Sequence, residues 1–159
     1  MDDLALRFIR WSAGLLVLGL LSGFGPLGHY LMAGVKVACP WAPVHGHVAL
    51  LGWLGMAVFG LTYKALPSWS HGAPPSLRLE KAHLYACAGG VIGVLANGII
   101  GYRLLDLFYP GFYYEPTPPA LNLWLSLDGV FLSLYGVGCG IFLLVLLRST
   151  RYAPEPARS

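Results

Sequence analysis

The chain has 159 residues, 57% hydrophobic and only 11% charged, with a formal net charge of +3 and a mean hydropathy of +0.66. A water-soluble domain carries about 25% charged residues, so this chain has too few to cover its own surface, and its solvent is lipid. The same composition excludes disorder, collagen-like repeats and a secreted disulfide scaffold, and the scattered basic residues form no stripe for nucleic acid.

Crossing about 30 Å of hydrocarbon takes about 20 apolar residues in a helix. Four such stretches occur, over 11–33, 45–66, 82–102 and 121–147. The expected fold is therefore all-α: one polytopic membrane domain of four transmembrane helices spanning 1–159. Arg7 and Arg10 precede the first span, which is too long for a cleaved signal peptide and has no A-x-A site after it, so it reads as a retained helix. Pro26, within Gly25-Pro26-Leu27-Gly28, should kink or end that helix near its far end. The second span opens after Pro40, Trp41 and Pro43, and Pro43 suits a first helical turn. The third begins near His83. The aromatic connection from Leu107 to Tyr114 suits a membrane interface, and the fourth span carries Asp128. Gly19 with Gly23, Gly89 with Gly93, and Gly136 with Gly140 keep the GxxxG spacing that lets membrane helices pack closely.

Arg7, Arg10, Lys64, Arg78, Lys81, Arg148, Arg151 and Arg158 fall on one side of this arrangement, and only Lys36 and Arg103 on the other. Under the positive-inside rule both termini are then cytoplasmic and the first and third connections lie outside. The expected location is the inner (plasma) membrane, as a multi-pass protein.

Five histidines are the main metal-binding groups, and their depth decides which can act together. His29, His45 and His47 belong to the outer side. Positions 45 and 47 differ by about 200° around a regular helix, so both imidazoles cannot face one metal. The face of His45 continues through Ala49, Gly52, Gly55 and Met56, which are mostly small and leave room for a flat macrocycle. That of His47 continues through Leu50, Leu51, Leu54 and Val58, as for lipid contact or packing. His45 is thus the expected axial ligand. His83 lies at the inner end of its helix, about 25 Å away in depth at 1.5 Å per residue, and reads as an interfacial hydrogen-bonding residue, a helix cap or part of another site. His71 sits in a polar connection. Asp128 is the one acid expected inside a span, where a carboxylate is a functional candidate. It would bond a ligating histidine, relay protons, or sit protonated beside Asn97 and Ser126. Met32, Cys39, His29, His45 and His47, within about twenty residues, also form a soft donor set suited to copper. Cys87 and Cys139 read as packing residues. With no CxxC, phosphate loop, nucleophile triad or HExxH, hydrolase and nucleotide chemistry have no support.

The run Pro43-Val44-His45-Gly46-His47-Val48-Ala49-Leu50-Leu51-Gly52-Trp53, continuing to Leu66-Pro67-Ser68-Trp69, resembles two related patterns. One is the A-H-G opening of the second helix of subunit I in haem-copper oxidases and nitric oxide reductases, whose histidine is an axial ligand of a low-spin haem. The other is the H-A-H-E-M-x-x-G-F opening, with a P-N-W loop, of the NnrS family, haem- and copper-binding membrane proteins of nitric oxide stress. Leu77-Arg78-Leu79-Glu80-Lys81-Ala82-His83-Leu84 is similar to the R-L-N opening of the third helix of subunit I. The resemblance covers about the first hundred residues and implies haem b on His45. Five histidines at two depths cannot build the binuclear oxygen-reducing centre, whose His-His pair is absent, and Val48 replaces the acid of the NnrS pattern.

The resulting expectation is a small haem b-binding membrane protein in respiratory electron transfer or nitric oxide metabolism. His45 supplies the iron ligand, the sixth ligand is His29, His47 or a group from a second copy or partner subunit, and Gly52 and Asp128 line the site. The alternatives are an accessory or assembly subunit without haem that docks on a respiratory complex, and an outer-side copper protein using His45, His47, Cys39 and Met32.

Overall fold

In hydrocarbon every backbone donor and acceptor must find its partner within its own segment, so apolar runs of this length fold as helices. The structure is a computed structural model. It describes the backbone of residues 2–33, 41–69, 76–108 and 119–151, and the side chains of 3–24, 44–68, 76–100 and 126–149. In chain order the elements are α1 (Asp2–Ala33), α2 (Trp41–His47), a π-helical stretch (Val48–Gly55), α3 (Met56–Trp69), α4 (Leu77–Phe108) and α5 (Pro119–Arg151). The described residues are wholly helical. α2, the π stretch and α3 run end to end as one rod, which gives four rods long and apolar enough to cross a membrane: Asp3–Phe24, Val44–Ser68, Leu77–Ile100 and Ser126–Ser149.

Helix α1 does not end at Pro26 but continues to Ala33. A proline removes one backbone bond, and the intact turns on either side carry the helix across it. Ser76 caps α4, its hydroxyl accepting the Leu79 N–H at 3.3 Å. The connection from 109 to 118 and the residues Cys39 and His71 lie outside the described residues.

α4 and α5 form the most extensive pairing, α1 lies along the π stretch and α3, and α2 with the π stretch joins the two pairs by touching α4. On the second rod Val44, Val48, Gly52, Met56 and Gly60 are buried at four-residue steps, and Phe59, Tyr63 and Leu66 continue the buried face along α3. In a regular α-helix a four-residue step overshoots the turn by about 40°. The wider i→i+5 turn offsets that drift, so the π stretch keeps these positions in line. Carbonyls of the π stretch take side-chain donors from both neighbours: Ser12 Oγ donates to Trp53 O at 2.9 Å, and Tyr135 Oη to Leu51 O at 3.2 Å.

The core is layered. At one end Phe8, Phe59, Tyr63 and Phe142 surround His83. In the middle, Leu15 and Val91 close over Gly52. At the other end Val44 packs on Gly98, where a Cβ would come within 2.7 Å of its methyl group.

Candidate functional site

The His45 site is built by two glycines one helical turn apart on α1. Gly19 seats Ala49, 3.4 Å from where a Cβ would stand, and Gly23 seats the His45 ring, whose Cε1 and Nδ1 would lie 2.7 and 2.8 Å from a Cβ. With no side chain at Gly23, the imidazole reaches the α1 backbone, and its Nδ1 lies 2.6 Å from Gly19 O. A carbonyl only accepts, so Nδ1–H is the donor, and in the neutral imidazole Nε2 then carries the lone pair. This is the orientation that second partners impose on metal-binding histidines. Ser22 Oγ donates to the same carbonyl at 2.8 Å.

The space beside His45 differs from the sequence expectation. A Cβ on Gly52 would meet Val91 Cγ1 at 2.9 Å and Leu15 Cβ at 3.1 Å, and one on Gly55 would run into the Tyr135 hydroxyl. Met56 is fully buried. The small residues on this face are filled by neighbouring helices, so Gly52 lines a helix contact and no macrocycle slot opens there. The π stretch is the physical reason, because it holds Gly52 on the face packed between α1 and α4. On the face of His47, Leu50, Leu54 and Val58 are exposed, as expected for lipid contact. His47 itself is half-buried, and its Nδ1 has no hydrogen-bond partner.

Asp128 is buried and accepts from Asn97 Nδ2 at 2.8 Å. Asn97 adjoins Gly98, which meets Val44, so this pair lies in the layer next to His45 but on the α4–α5 side. Asn97 is the partner this geometry gives Asp128. His45 turns its Nδ1 to α1 instead. The side chains of His29 and Met32 and all of Cys39 lie outside the described residues, among which no three His, Cys, Asp or Glu side chains converge as a metal set. Cys87 and Cys139 are free thiols, and Cys87 packs against Gly138.

No family model, curated protein or solved structure matches this chain. Function therefore rests on the chemistry of its own residues.

Sequence reasoning missed a second polar group at the opposite end. His83 is fully buried rather than interfacial, and its Nδ1 lies 2.9 Å from the Tyr63 hydroxyl. Glu80, one turn earlier on α4, is 2% exposed. The signal was available: Glu80, His83, Cys87, Val91, Val94 and Gly98 recur at three- and four-residue spacing along one helix face.

Proposed function

We propose that this chain is a small multi-pass protein of the inner (plasma) membrane that binds a b-type haem through His45. The observation that carries the reading is the Nδ1–Gly19 contact, because in the neutral imidazole it leaves the Nε2 lone pair available to a metal. The donor chemistry fits a haem iron, while the contacts filling Gly52 and Gly55 exclude the interior slot. His45 would therefore hold the group from its half-buried side, with the sixth ligand from His29, His47, a second copy or a partner subunit. When bound, the group would supply one-electron transfer in respiration or nitric oxide metabolism. The chain's own part is to fix the imidazole on α1.

Eight basic residues against two favour cytoplasmic termini, with His45 toward the opposite face. A reduced-minus-oxidised spectrum of protein purified after haem-replete expression tests the reading. A haem b band lost in His45→Ala supports it, and a wild-type protein without the band overturns it.

One observation favours a second reading, an accessory subunit that docks on a respiratory complex. Helix α5 presents Gly129, Gly136 and Gly140 with nothing within 4 Å of a Cβ at any of them, between the exposed Val130, Val137 and Leu144. Such small-residue faces admit close helix approach in membranes.

A further inference from the structure

Two buried polar atoms at the His83 end have no hydrogen-bond partner: His83 Nε2 and Glu80 Oε1. Their residues are 0% and 2% exposed and three apart on α4, where side chains at i and i+3 are neighbours with Cβ atoms about 5–6 Å apart.

The Tyr63 contact decides which kind of group Nε2 is. If His83 Nδ1–H donated to the Tyr63 oxygen, the phenolic proton and Nε2 would both lack partners. If Tyr63 O–H donates to Nδ1, only Nε2–H does. The second arrangement leaves fewer orphans in a buried site and makes Nε2–H a donor. Around it stand Phe8, Phe59 and Phe142, with ring centroids 4.9, 4.5 and 5.2 Å from that of His83. Phenyl rings accept hydrogen bonds only weakly.

The charged side chains of the surrounding elements do not engage Glu80. On α1, Arg7 pairs with Asp3 at 2.9 Å in an exposed contact, and Arg10 is exposed. Lys64 on α3, Arg78 and Lys81 on α4, and Arg148 on α5 are exposed as well. Ser149 on α5 donates to Val145 O. Among the described side chains Glu80 thus has no cation, and the one positive charge that acts on it is that of the chain's N-terminus.

We propose that Glu80 and His83 form a buried, hydrated proton-binding site, with one water accepting from His83 Nε2–H and donating to Glu80 Oε1. Buried water serves such otherwise unpaired groups, and a carboxyl within an apolar span is a functional group by default. The proton enters as hydronium from the adjacent basic end of the bundle. Its transfer to the Glu80 carboxylate yields a carboxylic acid and a neutral water, which then accepts from the carboxyl O–H. Tyr63 holds the imidazole in the tautomer that keeps the donor pointed at that water. The site lies about 25 Å from His45 along the second rod at 1.5 Å per residue and is independent of the haem reading.

Infrared difference spectroscopy of the full chain in liposomes, stepped in pH and repeated in D2O, tests the site. The expected result is a titrating, deuterium-sensitive carboxylic C=O band that vanishes in Glu80→Gln, persists in Asp128→Asn and moves in His83→Gln. No such band for Glu80 at any pH, or a band indifferent to His83→Gln, overturns the proposal. Should a variant fail to fold, 15N NMR of wild-type His83 decides: Nδ1 as acceptor with Nε2 protonated supports it, and the reverse tautomer overturns it.

Discussion

The half-buried imidazole of His45 depends on a missing side chain one helix away. Adding a methyl group at Gly23 puts carbon within 2.8 Å of Nδ1, and the ring, being the free end of its side chain, moves away and loses Gly19 O. Gly23→Ala should then cost about 1 kcal/mol, the net worth of one hydrogen bond, and, if His45 holds the proposed haem, lower haem content as His45→Ala would. Denaturant titration in detergent and the haem spectrum check the two parts. At the other polar contact of this layer, Asn97→Leu takes the amide donor from buried Asp128. The expected loss is about 1–3 kcal/mol, the cost of leaving a buried polar group unpaired, measured by the same titration, and an unchanged midpoint would refute the pairing. His45 stood out in the sequence because small residues follow it at helical spacing. What those small residues do was not legible. A glycine that admits a cofactor and one that admits a neighbouring leucine read alike until Leu15 and Val91 are seen to fill the space. Glu80 escaped notice because it stands between Arg78 and Lys81 and looks like part of a solvated first turn.

At the scale of the element, the four long apolar helices were legible because hydrocarbon thickness sets a length that composition must meet. The π stretch was not, since a run such as Val48–Gly55 has the same apolar composition in either helical form, and only its neighbours select one. Its carbonyls are held from both sides, by Ser12 on α1 and Tyr135 on α5. Tyr135→Phe and Ser12→Ala each remove one donor and should each cost about 1 kcal/mol. The amides of the π stretch should exchange hydrogen faster in both variants, and faster still in the double variant, while those in the far half of α4 stay protected. Uniform acceleration across the molecule would mean that these hydroxyls stabilise the whole fold rather than this stretch.

For the whole molecule, glycines divide into those that join the bundle and those that look away from it, and this division predicts opposite signs for one kind of substitution. A Cβ on Gly90 would lie 2.8 Å from Phe131 O and 2.9 Å from Tyr135 N. Backbone cannot step aside, so α4 and α5 must separate, and Gly90→Ala should destabilise the bundle by about 1–3 kcal/mol or more, as overpacking does. At Gly136 nothing lies within 4 Å, and alanine there removes the entropic cost of a mid-helix glycine, worth about 0.5–1 kcal/mol in the stabilising direction. Chemical denaturation of the two variants in one detergent compares them directly, and equal or reversed signs would contradict the α4–α5 packing. Leucine at Gly136 and Gly140 then separates fold from assembly. If α5 docks on another subunit, this bulky pair should leave the denaturation midpoint within about 0.5 kcal/mol of wild type, the usual range for substitutions away from packed sites, while abolishing co-purification of the partner complex. Unchanged co-purification would assign the open glycine face of α5 to lipid alone.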